Sequence, residues 1–145
     1  MRLYPYYPKV LTLGGLFLIG IGLYFIFLRP PLLPEDVRYM NTTLAEIQAV
    51  VPGLLNWLQK VFWVMGGYIF SVGLLTMYVA LSSFQTRTRG AFPVIAFAGL
   101  SSIGWMTGVN FIINSDFKWL LLVSALPWAA ALILYKIEGE KNELL

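Results

Sequence analysis

The chain offers seven carboxylates for acid–base work, and their spacing pairs none of them for catalysis. Glu35 and Asp36 are adjacent, so on a helix their side chains diverge. Such a pair more simply meets the positive end of a helix dipole. Glu46 stands three residues after Thr43, the spacing of a capping box. Asp116 is isolated, and Glu138, Glu140 and Glu143 crowd the C-terminal stretch. Histidine and cysteine are absent. Thiolate nucleophiles, the usual zinc ligand sets, haem held by His or Cys, iron–sulfur clusters and imidazole catalysis go with them. No phosphate-cradling glycine loop, nucleophile elbow or His–Glu metal motif is present. The expectation is a non-enzymatic protein without metal or cofactor.

The remaining polar chemistry lies within apolar sequence. Thr107, Asn110 and Asn114 fall in line at helical spacing. Amides in lipid are costly unless paired, so this line should face a bundle interior or its outer mouth. There it serves either helix-to-helix hydrogen bonding or the polar contacts of a ligand site, with Trp105 and Tyr68 deeper. Turned from that line are Gly104 and Gly108, a GxxxG with Ser101 beside it, and such small residues let another helix approach closely. Gly15 and Gly22 recur seven apart, as do Gly66 and Gly73, and Ala125 with Ala129 forms a further small pair. All of these are candidate helix-packing residues.

The elements that carry them follow from composition. Of 145 residues 59% are hydrophobic and only 12% charged, whereas soluble domains carry roughly a quarter charged residues. Four runs lack any charge: Val10–Leu28, Val61–Leu81, Ala91–Ile113 and Trp119–Tyr135. At about 1.5 Å per residue these suit a hydrocarbon core of about 30 Å. They are continuous and do not alternate with period two, which excludes a β-barrel. Aromatic residues mark their ends, as amphipathic rings do at membrane interfaces. The first run follows Arg2 and Lys9, but it is too long for a signal peptide and ends in Leu28-Arg29-Pro30-Pro31, which is no small-residue cleavage site. It is read as retained.

Between the first two runs lies a polar segment, residues 29–60. Its Pro-rich start, Arg29-Pro30-Pro31-Leu32-Leu33-Pro34, stops the first helix. Beyond Thr43, an amphipathic stripe of Ile47, Val50, Val51, Leu54, Leu55 and Leu58 is interrupted at Pro52-Gly53. The stripe should lie in the membrane interface or close over the outer mouth of the bundle. In the second case it encloses an apolar space bordered by Asn110 and Asn114.

Basic residues set the orientation. Arg2, Lys9, Arg87, Arg89, Lys136 and Lys141 fall on one side, and Arg29, Arg38, Lys60 and Lys118 on the other. The positive-inside rule places both termini in the cytoplasm. The net charge of +3 then reflects that bias and contact with anionic lipid, so no nucleic acid is expected.

The runs Leu33-Pro34-Glu35-Asp36-Val37-Arg38-Tyr39-Met40 and Val61-Phe62-Trp63-Val64-Met65-Gly66-Gly67-Tyr68 resemble small bacterial four-span membrane proteins. In size and span number the plan is similar to DoxX-like and related families. The resemblance implies a bacterial inner membrane and carries no activity or functional residues with it. Together these readings predict an all-α membrane protein of one domain, residues 1–145. It is an antiparallel bundle of four transmembrane helices with an outer amphipathic helical segment between spans one and two. The short links after spans two and three favour neighbouring antiparallel helices. The expected partners are the lipid bilayer and either another membrane subunit or a hydrophobic ligand. The competing class is a small transporter or channel that works as an oligomer.

Overall fold

The computed structural model of the chain describes residues 5–143, with side chains as far as residue 139. Arg2 and Tyr4, and the side chains of Glu140, Lys141 and Glu143, lie outside the described residues. Every regular element among the described residues is helical. Helix α1 spans Tyr7–Phe27, α2 Pro34–Met40, α3 Leu44–Val50 and α4 Leu54–Val79, which continues through a π turn at Ala80–Phe84. Helix α5 spans Ala91–Gly99 and passes through a second π turn, Leu100–Gly104, into α6, Trp105–Ile112; α7 spans Lys118–Glu143. Four of the resulting segments are long and apolar enough to cross a membrane: Tyr7–Phe27, Leu54–Phe84, Ala91–Ile112 and Lys118–Gly139. The second begins seven residues earlier than the charge-free run, because Lys60 lies within the helix.

Both π turns carry the same tripeptide, Leu81-Ser82-Ser83 and Leu100-Ser101-Ser102. Ser82 Oγ donates to Tyr78 O at 2.6 Å, and Ser101 Oγ donates to Phe97 O at 2.7 Å. Thr76, Thr107 and Ser124 bond the carbonyl four residues back in the same way inside regular α-helix, so this bond accompanies the π turns and does not by itself produce them.

The first helix is central and packs against α4 on one side and α7 on the other. Its fit to α4 comes from glycine. A Cβ on Gly15 would stand 2.9 Å from Gly73 O, and one on Gly66 would stand 2.8 Å from Gly22 O. The two backbones touch where side chains are missing. On the other side, Gly14 admits Pro127 and Trp128 of α7. The third segment leans on α7, where the Trp128 indole N–H donates to Ile95 O at 2.8 Å and fills the space left by Gly99.

Three sequence expectations need correction here. Gly108 faces open space, and the nearest atoms to Gly104 belong to its own helix. The close approach in this segment is at Gly99, so the GxxxG seats no neighbouring helix. Also, the short link between α4 and α5 does not make their helices packed neighbours: they meet near the link and diverge beyond it. Gly66 and Gly73 of α4 are already committed to α1, and Gly99 to α7. Of the Ala pair, Ala125 packs on the core while Ala129 is exposed.

At the linked end the bundle is closed by aromatic packing. Tyr7 meets Phe84 and Tyr135 edge-on, and Phe84 stacks on Tyr135 with centroids 4.7 Å apart. Tyr7 Oη donates to Gln85 O at 2.8 Å. The Arg87 guanidinium lies 4.2 Å from the Tyr135 ring centroid and donates to Tyr135 O.

Helix α3 has the expected capping box, with Thr43 Oγ1 accepting from Glu46 N–H at 3.2 Å and Glu46 Oε2 accepting from Thr43 N–H at 2.8 Å. Hydrogen bonds from the Thr42 hydroxyl and from Thr43 hold the Glu46 carboxyl below its ordinary 4.5. A depressed carboxylate stabilises at higher pH, and that contribution is lost as pH falls below 4.5 and through the folded value. Acid should therefore weaken the cap of α3. Thr43→Ala should cost about 1 kcal/mol of local helix stability, read as faster amide exchange confined to residues 44–50. Unchanged exchange there would refute the capping role.

Candidate functional site

Because α4 diverges from the third segment, a cleft of about 770 Å3 remains between the two halves of the bundle. Its floor is α1, through Leu18, Ile21 and Phe25, with Leu121 of α7. One wall is α4, from Phe62 to Val72, and the other runs from Ser101 to Ile113. Along that second wall the cleft extends roughly 18 Å at about 1.5 Å per residue. Tyr68 and Trp105 stand on opposite walls and are 71% and 72% exposed. They mark the rim of an opening that faces sideways, between the middles of two long helices. The volume is within the roughly 300–1,000 Å3 of small-molecule sites, which are mostly apolar with a few polar groups.

The charged groups gather at one end, where the chain after α1 folds back. Arg29 is 8% exposed, and its guanidinium lies 3.5 Å from the Phe62 ring centroid. It donates to Asp36 Oδ2 at 3.1 Å and to Pro30 O at 2.9 Å. Burial pushes the Arg29 pKa below its ordinary value, and the Asp36 carboxylate opposes that shift. Asp36 Oδ2 also accepts from Leu33 N–H at 2.8 Å, so one carboxylate both caps α2 and pairs with the buried cation. Gln59 of α4 donates to Arg29 O at 3.2 Å. On the far side, Arg38 donates to Asp116 Oδ1 at 2.9 Å and to Asn114 O at 3.3 Å. Helix α2 is thus tied to α4 and to the loop before α7, and it lies across the end of the cleft.

The sequence-derived candidates divide. Asn110, Trp105, Tyr68 and Ser101 line the cleft. Asn110 Nδ2 donates to Met106 O at 2.9 Å, which leaves the amide oxygen to accept. Thr107 is buried elsewhere and donates to Ile103 O at 2.7 Å. Asn114 lies outside the cleft, in a shallow depression with Arg38, Asp116 and Lys118. It ends α6 in the left-handed conformation at φ 53°. Ser115 N–H reaches Asn110 O, and Asn114 N–H reaches Phe111 O, the two bonds of a Schellman end. Asn114 is therefore a helix stop.

The amphipathic stripe does not close the mouth. None of its residues lines the cleft. Val50 is 80% exposed, Val51 is exposed, and Ile47, Leu54, Leu55 and Leu58 are half-buried. The chain breaks between α3 and α4 at Pro52-Gly53, which splits the stripe between two helices and separates its faces.

Sequence reasoning missed Glu35. As the neighbour of Asp36 it resembles a second helix-start acid, yet it is 2% exposed, lines the cleft and accepts from Ser115 Oγ at 3.1 Å. The charge-free spans suggest that no carboxylate enters the bundle, but α2 carries this one in from outside them. The only hint is that Glu35 follows a proline turn able to reverse the chain.

Fold and site define a helical protein with four segments long enough to cross a membrane and a side-opening apolar cleft polar at one end. No family model, curated protein or solved structure matches the chain.

Proposed function

We propose that the chain is a non-enzymatic integral membrane protein that holds a lipid or other hydrophobic small molecule in this cleft. The observation that carries the reading is the cleft itself, apolar along its length and open sideways between helices of membrane-crossing length. In this reading the four helices form an antiparallel bundle in a bacterial inner membrane with both termini cytoplasmic. The outward apolar surface supports it: only 22–28% of the residues in each helix's most hydrophobic window are buried. Such a surface is stable against acyl chains and not against water. The divergent glycine contacts support the antiparallel course, since Gly15 faces Gly73 and Gly22 faces Gly66.

Gly20 gives the direct test. It lines the cleft, and a Cβ there meets nothing within 4 Å. Gly20→Phe should project a ring into the cleft and obstruct it without straining the fold. Gly67→Phe, at a position equally open but outside the cleft, is the control. Native mass spectrometry of protein purified from its membrane should show a lipid-sized adduct on the wild type and on the control, and none on Gly20→Phe. Equal adduct on all three would overturn the reading. The same spectra give the stoichiometry, and a ring of subunits would favour the oligomeric channel instead.

A further inference from the structure

The cleft has a buried carboxylate that, among the described residues, closes no ion pair. Glu35 Oε1 accepts one hydrogen bond, from Ser115 Oγ, and Ser115 is itself 1% exposed. Ser115 Oγ accepts from Phe117 N–H at 3.1 Å, so its own proton is directed at Glu35. The two nearby guanidinium groups are committed elsewhere, Arg29 to Asp36 at 3.1 Å and Arg38 to Asp116 at 2.9 Å. The charged residues lining the cleft are Arg29, Glu35 and Asp36, which sum to one negative charge. Arg29 acts on Glu35 only from beyond ion-pair distance, its contact being made to Asp36. A carboxylate removed from water and hydrogen-bonded to one neutral hydroxyl is expensive, and a cation in contact with it recovers the cost.

Resting on the cleft reading above, we infer that the occupant is an amphiphile with an ammonium head: the head pairs with Glu35 at the α2 end, and the hydrocarbon chain lies along the apolar walls. Asn110 adds a neutral acceptor on the same wall, and the rings of Tyr24 and Phe117 line the same end, where aromatic faces favour a cation. A carboxylate or phosphate head without an amine is disfavoured by the net negative charge. The ammonium can belong to a free long-chain amine or to the ethanolamine head of a membrane phospholipid.

The experiment uses the whole protein in a non-ionic detergent and three probes of one chain length: dodecylammonium, dodecanol and dodecanoate. Dodecylammonium should bind at least tenfold tighter than dodecanol, and dodecanoate weakest. Glu35→Gln keeps the shape and an acceptor for Ser115, so it should bring dodecylammonium down to the level of dodecanol while leaving dodecanol unchanged. Glu35→Asp should retain a preference for the cation. Gly20→Phe should abolish binding of both probes, which locates them in the cleft even where Glu35→Gln does not fold. Equal binding of ammonium and alcohol to the wild type, or a preference that survives Glu35→Gln, would overturn the head-group inference alone. Failure of all three probes to bind the wild type would overturn the cleft reading as well. In nanodiscs, a phosphatidylethanolamine adduct displaced by dodecylammonium assigns the ammonium to the phospholipid. No such adduct over phosphatidylglycerol background, with dodecylammonium still bound, assigns it to a free amine.

Discussion

Gly22→Ala should destabilise the protein by about 3 kcal/mol, the upper end of the usual cost of overpacking. The added Cβ would stand 2.6 Å from the backbone nitrogen of Phe70 and 2.8 Å from its Cα. Neither atom can rotate away, so α1 and α4 must separate along their contact. Gly67→Ala, on the same pair of helices with nothing within 4 Å, should instead gain roughly 0.5–1 kcal/mol from helix propensity. Unfolding in mixed micelles with increasing sodium dodecyl sulfate, followed by circular dichroism, reads both. Matching midpoints for the two variants would show that α1 and α4 do not meet at Gly22.

Trp128→Ala should cost about 3–5 kcal/mol, the range for deleting a buried aromatic side chain. The ring is 3% exposed and joins α7 to the third segment. It fills the space at Gly99, and its N–H donates to Ile95 O. Trp128→Phe keeps much of the volume and loses the donor, so its cost should be nearer 1–2 kcal/mol, one hydrogen bond plus a small void. The same denaturation series measures it. A Trp128→Ala variant as stable as Trp128→Phe would mean that the ring does not join the helices.

The helices were legible because each rests on a local pattern: absence of charge over a membrane's width, a cap at Thr43, proline after Leu28. Gly15, Gly22, Gly66 and Gly73 were legible as packing residues for a similar reason, since seven-residue spacing keeps them on one face. What spacing does not carry is the identity of the neighbour. Gly104 and Gly108 are just as regularly spaced and meet no neighbouring helix, whereas Gly99, outside that motif, receives Trp128. The cleft was half legible. Asn110, Trp105 and Tyr68 were expected together, but beneath the stripe of α3 and not beneath α2. Connection length misled as well, because a short link brings helix ends together without fixing the angle between the helices. Glu35 was hidden by its neighbour, since two adjacent acids at a helix start look alike until the chain reversal at Pro30-Pro31 sends one inward.

The sideways opening has a consequence for how an occupant is selected. In the proposed setting a ligand reaches the cleft from the bilayer, and its tail leaves hydrocarbon to enter a wall of Leu, Ile and Phe. Each methylene is worth about 0.8 kcal/mol on leaving water, but lipid tails are as apolar as leucine, so that term is already spent on partitioning. Measured against aqueous concentration, affinity should climb about fourfold with every added CH2, 0.8 kcal/mol being a little over half of a tenfold step. Measured against mole fraction in the membrane, it should be nearly flat. Discrimination among chains dissolved in the same leaflet then falls to the polar end, and the protein reads head groups from a two-dimensional solvent.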